Sequence, residues 1–279
     1  MSYQKRDERI IDYGTYRFSG YQLRGPRIDM TKPYMVCVGA AQTFGPFCTE
    51  PFPTLLSKSL GIQVLNLGIG GAIPSQFLNP AFLKVINHSR LTVIQVLSGR
   101  CGSNSKFSHV SCQRGIIHEG FRVASPAVFW REAEAKYDHA ELSKLVEETR
   151  MDYVFQMAIL IRSVTVPRIL FYFSTRQPGK LPDTMINSPS PQLVKSWMIK
   201  KLAEFCEAYV SCVTKKGLPQ RLYDKDGNPS AVDRSLWDFD QPPMTQNNYY
   251  PSPEMHQEAA EKLMPTCKKM LVKTAPAID

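Results

Sequence analysis

The chain has 279 residues, a formal net charge of +9 and 43% hydrophobic residues, which is an ordinary composition for a globular protein with one sizeable core. Its longest apolar stretches fall well short of the roughly 20 residues that cross a bilayer. Its polar N-terminus lacks the apolar region of a secretory signal. The seven cysteines form no C-x-x-C pair, which argues against a disulfide framework or a structural zinc site and predicts a reducing, cytoplasmic location.

The positive net charge favours anionic partners such as phosphate, sulfate or acidic glycans. The basic residues are dispersed along the chain, and no helix-turn-helix, zinc-finger or RNA-binding signature is present. We therefore expect no sequence-specific binding of nucleic acid.

Residues 1–33 are predicted to be an extension packed on a single domain that spans residues 34–279. The apolar run Tyr34–Val38 is typical of a strand buried on both faces. A glycine-bounded turn follows at 39–45. The remaining elements predicted from apolar periodicity are helices over 53–60, 74–88, 132–164, 191–207 and 253–271 and strands over 62–67, 91–97, 168–173 and 208–213.

Strands that alternate with helices indicate a parallel sheet. The predicted fold class is therefore three-layer α/β, with a five-stranded parallel sheet in the flavodoxin-like order 2-1-3-4-5 and helices on both faces. Residues 106–130 are interpreted as an irregular packed insertion, and residues 214–250 as a second insertion made of a long loop. Ligands of such sheets bind outside the carboxyl ends of the strands, so the turns 39–45 and 68–74 are where chemistry is expected.

Four short blocks at the predicted strand ends resemble those of the SGNH/GDSL hydrolases, over about residues 34–275. The first is GAAQTFG at 39–45, against G-D-S-x-T-x-G, and the second is NLGIGG at 66–71, against N-x-G-x-x-G. The third block falls on Ser98–Cys101, and the fourth, D-x-x-H, falls on PEMH at 253–256. The chain also resembles a bacterial family of unknown function that carries these altered blocks and occurs alongside surface-glycan genes.

The resemblance implies an SGNH-like fold whose catalytic triad is degenerate. Ala41 occupies the position of the nucleophilic serine and has no oxygen with which to form an acyl intermediate. Pro253 replaces the aspartate that would orient His256, a role left open for Glu254, Asp238 or Asp240. Ordinary Ser-His-Asp esterase activity is therefore not expected.

Arg100 stands where the resemblance implies an oxyanion-binding asparagine, and a guanidinium suits a phosphate, sulfate or carboxylate better than a neutral ester. Gln42 and Arg176 are expected to converge on the same rim. A structural salt bridge remains the alternative for Arg100, and capping of the following turn the alternative for Gln42. The predicted ligand-binding residues are Gln42, Thr43, Asn66, Gly68, Gly70, Gly71, Arg100, Asn104 and Arg176.

His256 is the candidate general acid or base, since a histidine titrates near neutrality; a packed histidine at a helix start is the alternative. Ser98 and Cys101 are candidate displaced nucleophiles, with ordinary hydrogen bonding or packing as their alternative. The other histidines are interpreted as surface or loop residues. The glycine loop at 68–71 lacks the dinucleotide fingerprint G-x-G-x-x-G, and neither a cofactor nor a metal is predicted.

Three functions follow as hypotheses. The first is binding of a small anionic or carbohydrate-derived ligand at the strand ends, with a role in surface-polysaccharide modification implied by the resemblance. The second is a non-catalytic interaction or assembly module, either as a homo-oligomer or with a protein partner. The third is an esterase or acyltransferase with a relocated nucleophile.

Overall fold

The computed structural model describes residues 3–111, 114–179, 190–233 and 242–273. The strands are β1 (Tyr16–Phe18), β2 (Tyr21–Leu23), β3 (Tyr34–Gly39), β4 (Gln63–Gly68), β5 (Leu91–Gln95), β6 (Phe107–Ser111), β7 (Arg114–Ile117), β8 (Arg122–Ala124), β9 (Arg168–Ser174), β10 (Ala208–Val213), β11 (Gln220–Arg221) and β12 (Gln246–Asn247). The helices are α1 (Tyr3–Asp7), α2 (Ala41–Phe44), α3 (Phe52–Leu60), α4 (Pro80–Asn87), α5 (Pro126–Lys136), α6 (His139–Ser163), α7 (Ser196–Ala203) and α8 (Pro253–Lys273). Short 3₁₀ helices lie at Pro74–Leu78, Gly99–Cys101 and Glu119–Phe121.

The central sheet has five parallel strands in the spatial order β10-β9-β5-β3-β4. Numbered along the chain, this is the order 2-1-3-4-5, so the predicted fold class is confirmed. All six residues of β3 are buried, because helices cover both faces of the sheet.

Side chains of alternate strand residues pack into two separate hydrophobic cores, one on each face of the sheet. Val36 and Val38 pack with α6 and α7 residues on one face, whereas Met35 and Cys37 pack with α3 and α8 residues on the other. Helices therefore lie on both faces, as a period of two residues along a strand requires.

The polypeptide before β3 packs along the domain, with Tyr3 and Tyr13 at the carboxyl end of the sheet and Asp29 bonded to Gln63 at the amino end of β4. The β1–β2 hairpin is antiparallel, and the side chains of Phe18 and Tyr21 pack against Phe82 of α4. Tyr13 is buried against Phe44 of α2, and Tyr3 also contacts Phe44. Aromatic side chains thus attach this arm to the turn that follows β3.

Two segments differ from their predicted form. Residues 106–130 were expected to be irregular, but β6, β7 and β8 form an antiparallel sheet whose buried Phe107 stacks on Phe129 of α5. The single helix predicted over 132–164 is two helices, because Asp138 caps a new start by accepting the backbone N–H of Glu141 at 2.9 Å. The helix predicted over 74–88 is divided at Pro80 into the 3₁₀ segment Pro74–Leu78 and α4, which begins at Pro80, where a proline suits the first turn. In the described parts of the chain, none of the helices has the length and apolarity needed to span a membrane.

Candidate functional site

A cleft of about 370 Å³ opens at the carboxyl ends of β3, β4 and β5. The elements that surround it are α2, the loops after β4 and β5, the start of α5, and two later loop segments. Its lining residues are Ala40, Ala41, Gln42, Gly71, Ala72, Ser98, Arg100, Ser125, Pro126, Ala127, Ser190, Gln192 and Tyr249. The cleft therefore lies where a parallel sheet of this kind is expected to bind its ligand.

The turn after β3 is a single helical turn, α2, that runs close to the sheet. A side chain at Gly39 would place its Cβ 2.0 Å from Oγ1 of Thr43, and one at Gly68 would place it 2.1 Å from the backbone N of Phe44. Gly45 ends the turn in the left-handed conformation, with φ of +79°. Glycine at these positions lets α2 lie directly on the ends of β3 and β4.

Gln95, the last residue of β5, organises this turn through its side-chain amide. Its Oε1 accepts the backbone N–H of Ala40 at 3.0 Å and the hydroxyl of Thr43 at 2.7 Å. A backbone N–H can only donate, so this atom of Gln95 is the oxygen and the other is the NH₂ group. That group donates to Oε1 of Gln42 at 3.1 Å.

The amide of Gln42 is oriented as a consequence. Oε1 of Gln42 accepts a hydrogen bond from Gln95. The NH₂ group of Gln42 is therefore the part of its amide that can donate to a ligand in the cleft, which Gln42 lines. Gln42 has a relative exposure of 5%, and the hydrogen bond that its side chain forms with the described residues is the one that its Oε1 accepts from Gln95. The turn thus presents a fixed hydrogen-bond donor, although the serine of the resembling block is alanine here.

Arg100 supplies a positive charge to the same cleft. It lies on the 3₁₀ helix Gly99–Cys101, where the hydroxyl of Ser98 caps the start by accepting the N–H of Arg100 at 3.3 Å. Among the described residues, none forms an ion pair or hydrogen bond with its guanidinium group. The structural salt bridge considered as an alternative is therefore not formed within the described part of the chain.

Ser98, Gln192 and Tyr249 form a chain of hydrogen bonds along another wall of the cleft. The hydroxyl of Ser98 donates to Oε1 of Gln192 at 2.7 Å, and Nε2 of Gln192 donates to Oη of Tyr249 at 3.3 Å. Ser98 therefore has a neutral amide where a nucleophile needs a base. This arrangement does not activate Ser98.

Arg176 supports the cleft from outside and is not among the lining residues. Its guanidinium group donates to the backbone carbonyls of Pro191 and Gln177. Burial lowers its pKa from the ordinary value. The expected convergence of Arg176 on the rim is thus corrected: it holds the segment that carries Gln192.

Several other predicted ligand residues have structural contacts instead. Oγ1 of Thr43 is bonded to Gln95, and the amide of Asn66 bridges the carbonyl of Thr43 and the N–H of Gly68. Asn104 donates to Oγ1 of Thr149 on α6, outside the cleft. Gly70 is covered by Tyr3, whose Oη would lie 2.3 Å from an added Cβ. Of the two remaining glycines, Gly68 contacts α2 and Gly71 lines the cleft.

His256 lies beneath the turn and does not line the cleft. Its ring is fully buried between Phe52 and Phe173. The backbone N–H of Phe52 donates to its Nδ1 at 3.2 Å, so the proton of the neutral ring is on Nε2. Nε2 has no hydrogen-bond partner in the described part of the chain, and it would lie 3.3 Å from a Cβ at Gly45.

This tautomer is the reverse of the one that a serine–histidine pair uses, in which Nε2 accepts the proton. Burial, together with the charge of Arg24, lowers the pKa of His256 to about 3. Glu254 has no access to Nδ1, which already accepts from Phe52. We therefore do not assign an acid or base role to His256.

The described part of the chain supplies no other replacement for the triad among the predicted residues. Ala41 lines the cleft but has no nucleophilic atom. Asp238 and Asp240 lie outside the described residues, as does the side chain of Cys101. No group of three or more His, Cys, Asp or Glu residues with the arrangement of a metal site occurs within the described ranges.

Sequence reasoning missed Gln95, Gln192 and Tyr249. Gln95 does carry a signal, because it is the one polar residue near the end of the apolar run VIQVL. A polar residue that closes a doubly buried strand must find a partner, and its partners lie in the turn after the neighbouring strand. Gln192 and Tyr249 carry no comparable signal, since both are in loops.

The five-stranded sheet and the cleft at its carboxyl edge define an α/β protein of the flavodoxin-like strand order. The chain belongs to the family described as "Domain of unknown function (DUF6473)", whose model matches residues 1–114 and 133–271. No curated protein sequence matched this chain.

Solved structures similar to this chain include proteins described as lipolytic or as lipases. One is a proposed lipolytic protein of the G-D-S-L family from Desulfitobacterium hafniense DCB-2, with 16% identity over 84% of this chain and 99% of that one and a TM-score of 0.41. Phospholipase A1 from Streptomyces albidoflavus NA297 has 10% identity over 85% and 99%, with a TM-score of 0.46. An extracellular lipase from Streptomyces rimosus has 13% identity over 86% and 100%, with a TM-score of 0.43.

Proposed function

We propose that this protein binds a small anionic, carbohydrate-derived ligand in the cleft at the carboxyl ends of β3, β4 and β5, with Arg100 and Gln42 as its donors. The observation that carries the proposal is the fixed orientation of the Gln42 amide, whose N–H groups are left for the cleft by its bond to Gln95. An amide N–H group that lines a cleft is a candidate hydrogen-bond donor to a ligand oxygen.

The electrostatics of the cleft support an anion over a neutral molecule. Among the lining residues, Arg100 is the charged side chain, and no carboxylate lies among them to neutralise it. A guanidinium group and an amide N–H together match a carboxylate, sulfate or phosphate, to which charge-assisted bonds are the strongest. Tyr249 adds an aromatic wall suited to the apolar face of a sugar ring.

Serine esterase chemistry is not part of the proposal for this cleft. Ala41 supplies no nucleophile, Ser98 is bonded to an amide, and His256 is buried with its Nδ1 occupied. We propose instead that the triad has degenerated while the fold and the cleft persist. A role in surface-polysaccharide modification and a cytoplasmic location belong to the same proposal, supported by the resemblance and the cysteine pattern.

Calorimetric titration with matched pairs of sugars tests the proposal. Glucuronate and glucose 6-phosphate are compared with glucose, and N-acetylglucosamine 6-sulfate with N-acetylglucosamine. We expect each anionic sugar to bind at least about tenfold more tightly than its neutral counterpart, because hydrogen bonds to charged groups contribute about 1.5–3 kcal/mol. Raising the salt concentration should reduce that preference.

Substitutions in the cleft identify the donors. Arg100→Met should remove most of the preference for the anionic sugar, and Gln42→Glu, which keeps the shape and adds a negative charge, should abolish it. Arg17→Met is the matched control, because Arg17 is an exposed arginine on β1 that does not line the cleft. Equal binding of anionic and neutral sugars, or an unchanged preference in Arg100→Met, would refute the proposal.

A further inference from the structure

A second group of polar side chains lies outside the cleft, on the antiparallel sheet formed by β6, β7 and β8. Oγ of Ser108 on β6 is 2.8 Å from Nε2 of His118, which directly follows β7. Nδ1 of the same ring is 2.9 Å from the backbone carbonyl oxygen of Ser105. Neither the cleft nor the proposed ligand involves these residues.

The hydrogen-bond directions in this group follow from the chemistry of the atoms. A carbonyl oxygen can only accept, so Nδ1 of His118 carries a hydrogen and donates it to Ser105. In the neutral ring Nε2 is then an acceptor, and the hydroxyl of Ser108 donates to it. This is the order of a nucleophilic serine, a base and an orienting oxygen, with a peptide carbonyl in the third position.

The orienting carbonyl is itself held in place. The backbone N–H of Ser105 donates to Oε2 of Glu148 on α6 at 2.8 Å. The backbone N–H of His118 donates to the carbonyl of Lys106 at 2.9 Å, which fixes the start of the histidine side chain. Hydrogen bonds therefore hold both residues of the Ser105–His118 contact, and the one to Glu148 joins Ser105 to α6.

The strand register places an apolar surface beside Ser108. Ser108 pairs with Ile116 of β7, and Ile116 pairs with Val123 of β8, so the three form one row across the sheet. The neighbouring row, Phe107 and Ile117, is buried against α5, so the row of Ser108 points away from the core. Val123 is 64% exposed. Side chains directly opposite in a row are about 5 Å apart, which is within reach of a group bonded to Ser108.

We propose that Ser108 is a nucleophile that accepts an apolar acyl group from an ester, with His118 as its base. In the reaction, Oγ of Ser108 bonds to the acyl carbon while its proton passes to Nε2 of His118. The ester C–O bond then breaks, and the leaving alcohol takes the proton from His118. The acyl chain lies along Ile116 and Val123, and water releases it by the same steps.

Mass spectrometry of the protein treated with p-nitrophenyl butyrate or a fluorophosphonate tests this directly. We expect the adduct to map to Ser108 and to be absent in Ser108→Ala. In His118→Asn the rate of labelling should fall about 100-fold, the usual contribution of a general base. In Val123→Ser the preference for butyrate over acetate should fall about threefold or more, because less apolar surface meets the longer chain.

Ser59→Ala is the matched control, since Ser59 is an exposed serine on α3 and takes no part in the sheet of β6, β7 and β8. Its labelling rate should equal that of the wild type. An adduct on another residue, the absence of any adduct, or equal rates in His118→Asn and the wild type would overturn the proposal. Sugar binding by the cleft is measured separately with Arg100→Met, so either proposal can fail without the other.

Discussion

Nε2 of Gln95 donates to Oε1 of Gln42 at 3.1 Å, and this bond between two buried amides decides what the turn after β3 offers to a ligand. Gln95 is fixed first, because its oxygen accepts the N–H of Ala40 at 3.0 Å. Gln42 must then turn its oxygen inward and its N–H groups towards the cleft. A preorganised donor of this kind does not have to reorient when an anionic ligand binds.

The orientation of Gln42 should reverse in Gln95→Glu. An ionised carboxylate accepts from Ala40 and Thr43 as before but cannot donate to Gln42, so the amide of Gln42 must present its NH₂ group to it. Its oxygen would then face the cleft, and binding of an anionic sugar should weaken about tenfold or more. Calorimetry measures the affinity, and Gln95→Met is the control that removes both partners. Undiminished anion binding in an ionised Gln95→Glu protein would contradict the proposed orientation.

Arg24 should be important for stability through its bonds to the loop after α2. Its guanidinium group donates to the carbonyls of Phe44 at 3.2 Å, Gly45 at 2.8 Å, Cys48 at 2.6 Å and Thr49 at 2.8 Å. Arg24→Met leaves buried carbonyls unpaired and should lower the free energy of unfolding by about 3–5 kcal/mol. Arg24→Lys should recover little of the loss, because an ammonium group does not reproduce the planar fork. Urea denaturation measures both, and a loss below about 1 kcal/mol would contradict this account.

The free energy of unfolding should depend on pH through His256. Burial holds its pKa at about 3 in the folded protein, whereas the unfolded chain has an ordinary value near 6.5. The unfolded state therefore binds a proton first as the pH falls below about 6.5. Stability contributed by the neutral ring is complete above that pH and is lost towards pH 3, by at most about 1.4 kcal/mol per pH unit.

His256→Asn isolates this contribution, because its side-chain oxygen can still accept from Phe52 but does not titrate. Denaturation midpoints of both proteins between pH 7 and pH 4 should converge as the pH falls. Parallel midpoints across that range would show that His256 does not carry the pH dependence.

Gly68 and Gly70 should differ in their tolerance of alanine although they are two residues apart. An added Cβ at Gly68 would lie 2.1 Å from the backbone N of Phe44, which cannot move without breaking α2. We expect Gly68→Ala to cost about 3 kcal/mol or more. At Gly70 the obstacle is the ring of Tyr3, with its Oη 2.3 Å from the added Cβ, and a side chain of the arm can rotate away.

Gly70→Ala should therefore lower the melting temperature little while it releases α1 from the domain. Limited proteolysis should cleave the first residues of this variant faster than those of the wild type. Equal destabilisation by the two substitutions would show that the arm is as firmly fixed as the turn.

The sequence by itself determined the central sheet. Apolar runs such as Tyr34–Val38 predict strands buried on both faces, and their alternation with helices leaves a parallel order as the consistent solution. The positions of the strand ends, and hence of the cleft, follow from the same local pattern. The loss of the nucleophile at Ala41 is likewise a property of the printed residue.

Only the tertiary structure decided which polar side chains have a hydrogen-bonding group that is available to a ligand. Thr43, Asn66 and Asn104 look like ligand residues in the sequence, but each is bonded to the protein. Gln42 and Gln95 lie 53 positions apart, and the direction of the bond between them depends on the N–H of Ala40. Whether a donor faces a partner or a cleft is set by contacts between distant segments, and these exist only once the sheet has brought the strand ends together.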